Sequence, residues 1–168
     1  PIGARRRCRG IEGVAARLPE MTPVAPLVTD PANVETRFGR FATGANAVIT
    51  LVEGLPGFEG CRTFLVLSSP EIEPLTCLQG LDEQKPAFLA IDPRMVDPGY
   101  PCRLDDLQRQ RLGATASTML LWRAIVRVAD GDGSTVNLRA PLVINPDTMR
   151  GLQLLAGHDQ YDTDHRLG

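Results

Sequence analysis

Proline and glycine punctuate this chain so closely that its apolar segments stay short. Fourteen prolines and 16 glycines are spread over 168 residues. Between them lie brief runs rich in β-branched and aromatic residues: residues 48–52, 64–67, 75–78, 87–91, 118–128, 136–138, 142–144 and 152–155. Val34, Thr36 and Phe38 alternate ahead of Gly39, which is expected to turn the chain back toward Phe41. Short strands at close spacing, with turn residues between them, specify an all-β sandwich or small β-barrel with one or two short helices. Residues 48–52 are apolar on both faces, which predicts a strand covered on both sides. In the run from Thr118 to Val128, Trp122, Ala124, Val126 and Val128 share one face. Arg123 and Arg127 lie on the other with Met119, Leu121 and Ile125, so that second face is expected to be only partly wet.

The turns can be read in the same way. In Gly54-Leu55-Pro56-Gly57-Phe58, Pro56 fixes φ and Gly57 can adopt positive φ, the requirements of a type II turn. Pro141 interrupts an apolar strand and has no N–H to give a ladder, so it marks an edge or a bulge. Gly131-Asp132-Gly133-Ser134 is expected to close a hairpin. The one persuasive helix comes after Leu104. Asp105 and Asp106 at its start and Arg109 and Arg111 at its end complement the helix dipole, and Leu104, Leu107 and Leu112 are expected on its buried side.

Residues 1–32 differ from the rest. Arg5, Arg6, Arg7 and Arg9 crowd the start, and Pro19, Pro23, Pro26 and Pro31 interrupt the second half of the segment. Such a stretch cannot bury enough apolar surface to offset its ordering entropy, so it is expected to be a disordered extension before a domain over residues 33–168. Met21 is a candidate native start, and a basic tail that binds a ligand is the alternative. The formal charge of −2 supplies no basic field for tracking phosphates, which argues against direct nucleic-acid binding. No apolar run approaches the roughly 18 residues of a membrane helix and no secretory core succeeds the arginines, so a cytoplasmic protein is expected. Cys8, Cys61, Cys77 and Cys102 are irregularly spaced, as expected of reduced core thiols rather than a zinc or redox motif.

Candidate chemistry is thin. Asp130-Gly131-Asp132-Gly133-Ser134 opens like a calcium loop, but the sixth and twelfth positions hold Thr135 and Pro141 instead of Gly and Glu. His158, Asp159, Asp162, Asp164 and His165 are metal-ligand types, yet they lie in a tail expected to be exposed and without a scaffold. No phosphate-binding glycine loop is present, and no histidine lies near a cysteine in sequence. The expectation is therefore a binding protein with no catalytic residues, no metal and no cofactor. A small barrel enzyme with a Cys, His and Asp site assembled by the fold is the alternative.

The order and spacing of a longer set of segments closely resemble the flagellar assembly factor FliW family. They run Thr36-Arg37-Phe38-Gly39, Gly54-Leu55-Pro56-Gly57-Phe58-Glu59, Phe64-Leu65-Val66-Leu67, Leu78-Gln79, Ala87-Phe88 and Asp97-Pro98-Gly99-Tyr100. The most specific is Asn137-Leu138-Arg139-Ala140-Pro141-Leu142-Val143-Ile144-Asn145. At the end, Tyr161-Asp162-Thr163-Asp164-His165-Arg166 departs from the family by carrying Asp164 where Arg is common. The resemblance implies a β-barrel-like domain that binds newly made flagellin and the translational repressor CsrA, as a monomer and without a cofactor. Residues that match the family and are expected to be exposed become partner-binding candidates: Phe58, Glu59, Asn137, Arg139 and Asn145.

Overall fold

The computed structural model describes residues 22–23, 32–36, 39–43, 48–68, 70, 72–129, 133–155 and 157–167, with side chains from Val48 onward. Among these residues, five strands form an antiparallel meander: β4 (Val48–Leu51), β5 (Thr63–Ser68), β6 (Thr76–Gly80), β7 (Ala87–Ile91) and β8 (Leu121–Arg127). β10 (Leu142–Asn145) pairs antiparallel with β8 and forms a hairpin with β11 (Arg150–Gln153). β11 then runs parallel to β4, with Gly151 opposite Leu51, and closes a seven-stranded barrel. The all-β expectation holds, and the barrel is chosen over the sandwich because β8 and β11 each find a second neighbour.

Three further strands and a separate hairpin complete the described strands. β9 (Thr135–Val136) pairs with the end of β8, and β12 (His165–Arg166) pairs with β9. β1 (Thr22–Pro23) lies against Leu67 and Ser68 of β5, so two residues of the segment expected to be disordered have partners in the sheet. β2 (Ala32–Thr36) and β3 (Gly39–Thr43) make the hairpin, with Thr36 opposite Gly39, in line with the reversal read at Gly39. Cys8, Asp130, Gly131 and Asp132, where a hairpin turn is expected, and the remainder of residues 1–32 lie outside the described residues.

Alternation along the strands produces two apolar sets, one on each face of the closed sheet. One joins Leu65, Leu67, Cys77, Leu89, Ile91, Trp122, Ala124, Val126, Val143 and Leu152 to Tyr100, Leu112 and Leu138 from outside the strands. The other joins Ile49, Leu51, Phe64, Leu78, Ala90, Leu142 and Ile144 to Leu55 and Cys61 from the β4–β5 loop. Trp122, Ala124 and Val126 are buried, while Arg123 and Ile125 are half-buried, as the split of that strand predicted. Thr50 is exposed, so β4 is not covered throughout as expected.

The helix α1 (Asp106–Leu112) forms where the charges placed it. The Asp105 carboxylate accepts from Gln108 N, and the Gln108 side chain accepts from Asp105 N. Gly113 ends it at φ 65°. Its buried side was misread, because Leu112 is buried and Leu107 is exposed. Five residues separate the two, about 140° around a helix, so they cannot share a face. The last barrel strand also begins earlier than read from residues 152–155: β11 starts at Arg150, and Leu155 is exposed beyond its end.

The C-terminal tail corrects a larger expectation. Instead of standing free, it is built into the domain. The His158 ring is buried and stacks on Tyr100 at 5.2 Å and 13°. Tyr161 lies 4.8 Å from the Tyr100 ring and donates its hydroxyl to Asp97 Oδ2 at 2.7 Å. Charge count alone described the tail as polar, but its two aromatic groups find the Asp97-Pro98-Gly99-Tyr100 segment, with Asp97 lying 64 residues before Tyr161.

Candidate partner-binding surface

Two local structures carry four of the five residues singled out from sequence, and Asn145 lies apart from them at the end of β10. The first is the loop between β4 and β5. Phe58 N donates to Leu55 O at 2.7 Å across Pro56 and Gly57, and Gly57 has φ 84°, the geometry of a type II turn. A second turn comes at once, with Cys61 N donating to Phe58 O at 2.9 Å. The two turns bring Gly54 against Glu59 so tightly that a Cβ at Gly54 would lie 2.4 Å from the Glu59 backbone. Gly54 is therefore a packing requirement.

This loop presents Phe58 and Glu59 differently. Phe58 is half-buried, meeting Phe88 edge-on at 5.2 Å and 84°, and Phe88 in turn lies 6.1 Å from the buried Phe64. Glu59 is exposed, and its carboxylate accepts from Gly57 N at 2.8 Å. That backbone hydrogen bond holds its pKa below the usual carboxylate value. The loop thus shows an aromatic edge beside a fixed negative charge.

The second structure is a bulge. Residues 137–141 lie opposite only Ala124 and Ile125 of β8, because Val136 pairs with Val126 and Leu142 with Arg123. Pro141 sits in this excursion, where its missing N–H costs no ladder bond, as its position in sequence predicted. Asn137 is half-buried and structural: its N–H donates to Ile125 O at 2.9 Å and its Oδ1 accepts from Ala140 N at 3.0 Å. Leu138 N and Arg139 N both donate to Asp162 O at 3.2 Å, and the Tyr100 hydroxyl donates to Leu138 O. Arg139 is exposed and pairs with Asp159 at 2.9 Å.

Asn145 is not exposed as expected. It is fully buried, donates from Nδ2 to Leu112 O at 3.0 Å and to Gly113 O at 3.2 Å, and accepts from Asp147 N at 3.0 Å. A helix C-terminus leaves carbonyls without partners, and Asn145 supplies donors for two of them. The strand pattern gave no sign of this, since the helix end lies 33 residues earlier in the chain. Phe58 and Glu59 share one turn, and Asn137 and Arg139 share the bulge. Among the described residues no hydrogen bond, ion pair or ring contact links these two places.

Among the described residues, Cys61 and Cys102 do not have the surroundings of a nucleophile. Burial raises the pKa of Cys61 and Cys102, the opposite of what a thiolate nucleophile needs. Neither hydrogen-bonds a histidine, and both imidazoles belong to the aromatic tail and β12. No group of three potential metal ligands is found among the described residues, and no helix there is long and apolar enough to cross a membrane.

Comparison with known proteins agrees with this architecture. The family model described as FliW protein matches residues 33–167. The flagellar assembly factor FliW of Thermosipho africanus is 32% identical over 134 residues, covering 79% of this chain and 92% of that protein. Its counterpart from Thermoanaerobacter pseudethanolicus is 35% identical over 132 residues, covering 77% and 88%. A crystal structure of the flagellar assembly factor FliW superposes with a TM-score of 0.71 at 29% identity, over 80% of this chain and 96% of that one. With the family model spanning the whole closed barrel, this chain belongs to the FliW family of flagellar assembly factors.

Proposed function

We propose that this assembly factor is a cytoplasmic two-partner regulator that binds flagellin and a CsrA-type translational repressor. Flagellin in excess occupies it and leaves the repressor free to silence flagellin synthesis. When flagellin is exported, the freed protein sequesters the repressor and synthesis resumes. The observation that carries this reading is the family match through the entire barrel, residues 33–167. The surface supports it with a rigid feature suited to protein recognition, the half-buried Phe58 edge beside Glu59. Aromatic anchors of this kind often dominate interfaces. Of the other candidates, Arg139 offers an exposed charge, whereas Asn137 and Asn145 shape the bulge and the helix end.

A switch requires that the two partners oppose each other, and the coupling must be reciprocal: each weakens the other by the same factor. The test is calorimetric titration of the full chain with its own organism's flagellin, with the CsrA-type protein, and with each in the presence of the other. Binding to both with equal mutual weakening is expected. Binding to neither would overturn the proposal. Phe58→Ala should remain folded and lose about tenfold or more in affinity for at least one partner, the scale of an interface hot spot.

A further inference from the structure

The face of β8 that carries its arginines holds a guanidinium, that of Arg123, with no ion-pair partner among the described residues. Arg123 is half-buried, and among the described residues its guanidinium makes one hydrogen bond, from Nη1 to the Trp122 carbonyl at 2.8 Å. Desolvation lowers its pKa, so the charged form is held at a cost. Asp92 acts on it electrostatically but is already engaged by Arg94, at 2.9 Å from Nε and 2.5 Å from Nη2. Among the described residues no carboxylate forms an ion pair with Arg123 or with Arg127, the next arginine on the same face. Charges withdrawn from water are normally paired.

The same face is apolar where it should be wet. Leu121 is 40% exposed and Ile125 only half-buried between the two arginines, and Met119, two residues before the strand, is 86% exposed. The β7–β8 register, in which Leu89 faces Val126, sets Phe88 beside Arg127. The stripe therefore continues into the Phe58–Phe88 pair. From Leu121 to Arg127 it extends about 20 Å in strand geometry, the length of a helix of about 13 residues.

We infer that this stripe, Met119, Leu121, Arg123, Ile125 and Arg127, docks a single segment of a partner protein in which carboxylates are interleaved with apolar side chains. A carboxylate would complete the pairing that Arg123 lacks, and the apolar groups would cover Leu121 and Met119. The inference rests on the two-partner reading for the identity of the partner, not for the chemistry of the surface. It also reconciles an acidic protein overall with a basic, apolar face that selects acidic segments.

Three full-length variants test it: Arg123→Met, Arg123→Lys and the pair Met119→Ser with Leu121→Ser. Arg123→Met should unfold at the same temperature as the wild type or higher, because it removes a poorly paired charge. It should nevertheless bind flagellin or the CsrA-type protein at least tenfold more weakly, with a shallower dependence on salt. Arg123→Lys should recover part of the loss, and the serine pair should weaken the same partner. Full affinity for both partners in Arg123→Met and in the serine pair would overturn the inference. If the wild type binds neither protein, the regulatory reading fails and a random displayed-peptide library decides the surface chemistry. Enrichment of acidic, apolar peptides by the wild type but not by Arg123→Met would support the stripe, and no such enrichment would refute it.

Discussion

Replacing Asn145 with alanine should destabilise the barrel while leaving its surface untouched. The side chain donates to Leu112 O and Gly113 O and accepts from Asp147 N. Thr148 Oγ1 also donates to Leu112 O at 2.9 Å, so that carbonyl keeps one partner in the variant. Gly113 O and Asp147 N lose theirs. At about 0.5–1.5 kcal/mol for each hydrogen bond, the loss is about 3 kcal/mol. For a domain of this size that lowers the midpoint by about 10 °C. Asn145→Asp should be worse than alanine, since it sets an anion against two carbonyls at a helix C-terminus. Adding Thr148→Val to Asn145→Ala strips Leu112 O of both donors and should cost more than the two single changes together. Thermal unfolding tracked by circular dichroism reads all three. A midpoint for Asn145→Ala within about 1 °C of wild type, or an Asn145→Asp protein more stable than Asn145→Ala, would refute the capping role. So would an Asn145→Ala protein of wild-type stability that no longer bound its partners.

The anchoring of the tail has a pH signature. Asp97 accepts from the Tyr161 hydroxyl and from Gly99 N, and both hold its pKa below the usual carboxylate value. A depressed folded pKa contributes stability above the unfolded value, lost as pH falls through the folded one. Tyr161→Phe should therefore raise the Asp97 titration midpoint in carboxyl NMR and shrink its part of the acid-side loss; an unmoved midpoint would break the link. In the β4–β5 loop, Gly57→Ala should cost about 1–2 kcal/mol through its positive φ. Gly54→Ala should cost clearly more, since its Cβ meets backbone. Equal losses in thermal unfolding would contradict that ordering.

What could be read in advance was local. The type II turn at Gly57, the bulge at Pro141 and the capped helix after Asp105 each rest on a conformational demand made by residues adjacent in the chain. The strand bounds of β5 and β7 came from composition and alternation for the same reason. Pairings over long separation were not accessible. Nothing near Asn145 announces that its amide serves a helix end, and nothing near Tyr161 announces Asp97. Arg123 and Arg127 share a face with Leu121 and Ile125 as read from sequence, but that no carboxylate among the described residues pairs with them is visible only in the assembled sheet. Among the candidate residues exposure is the property sequence does not carry, since Asn145 is buried beneath a helix end and Phe58 half-buried against Phe88, both distant in the chain.

The parallel pairing of β11 with β4 has a consequence during synthesis. Thr50 and Leu51 are made some hundred residues before Arg150 and Gly151, their partners. Until those residues emerge from the ribosome, the meander from β4 to β8 has neither β11 along β4 nor β10 along β8. Contacts over such separation form slowly, and open sheet edges invite pairing with other chains. A nascent molecule is thus most vulnerable to misassociation after β8 has been made and before β10 and β11 appear, and it gains its finished barrel only once those two strands have joined.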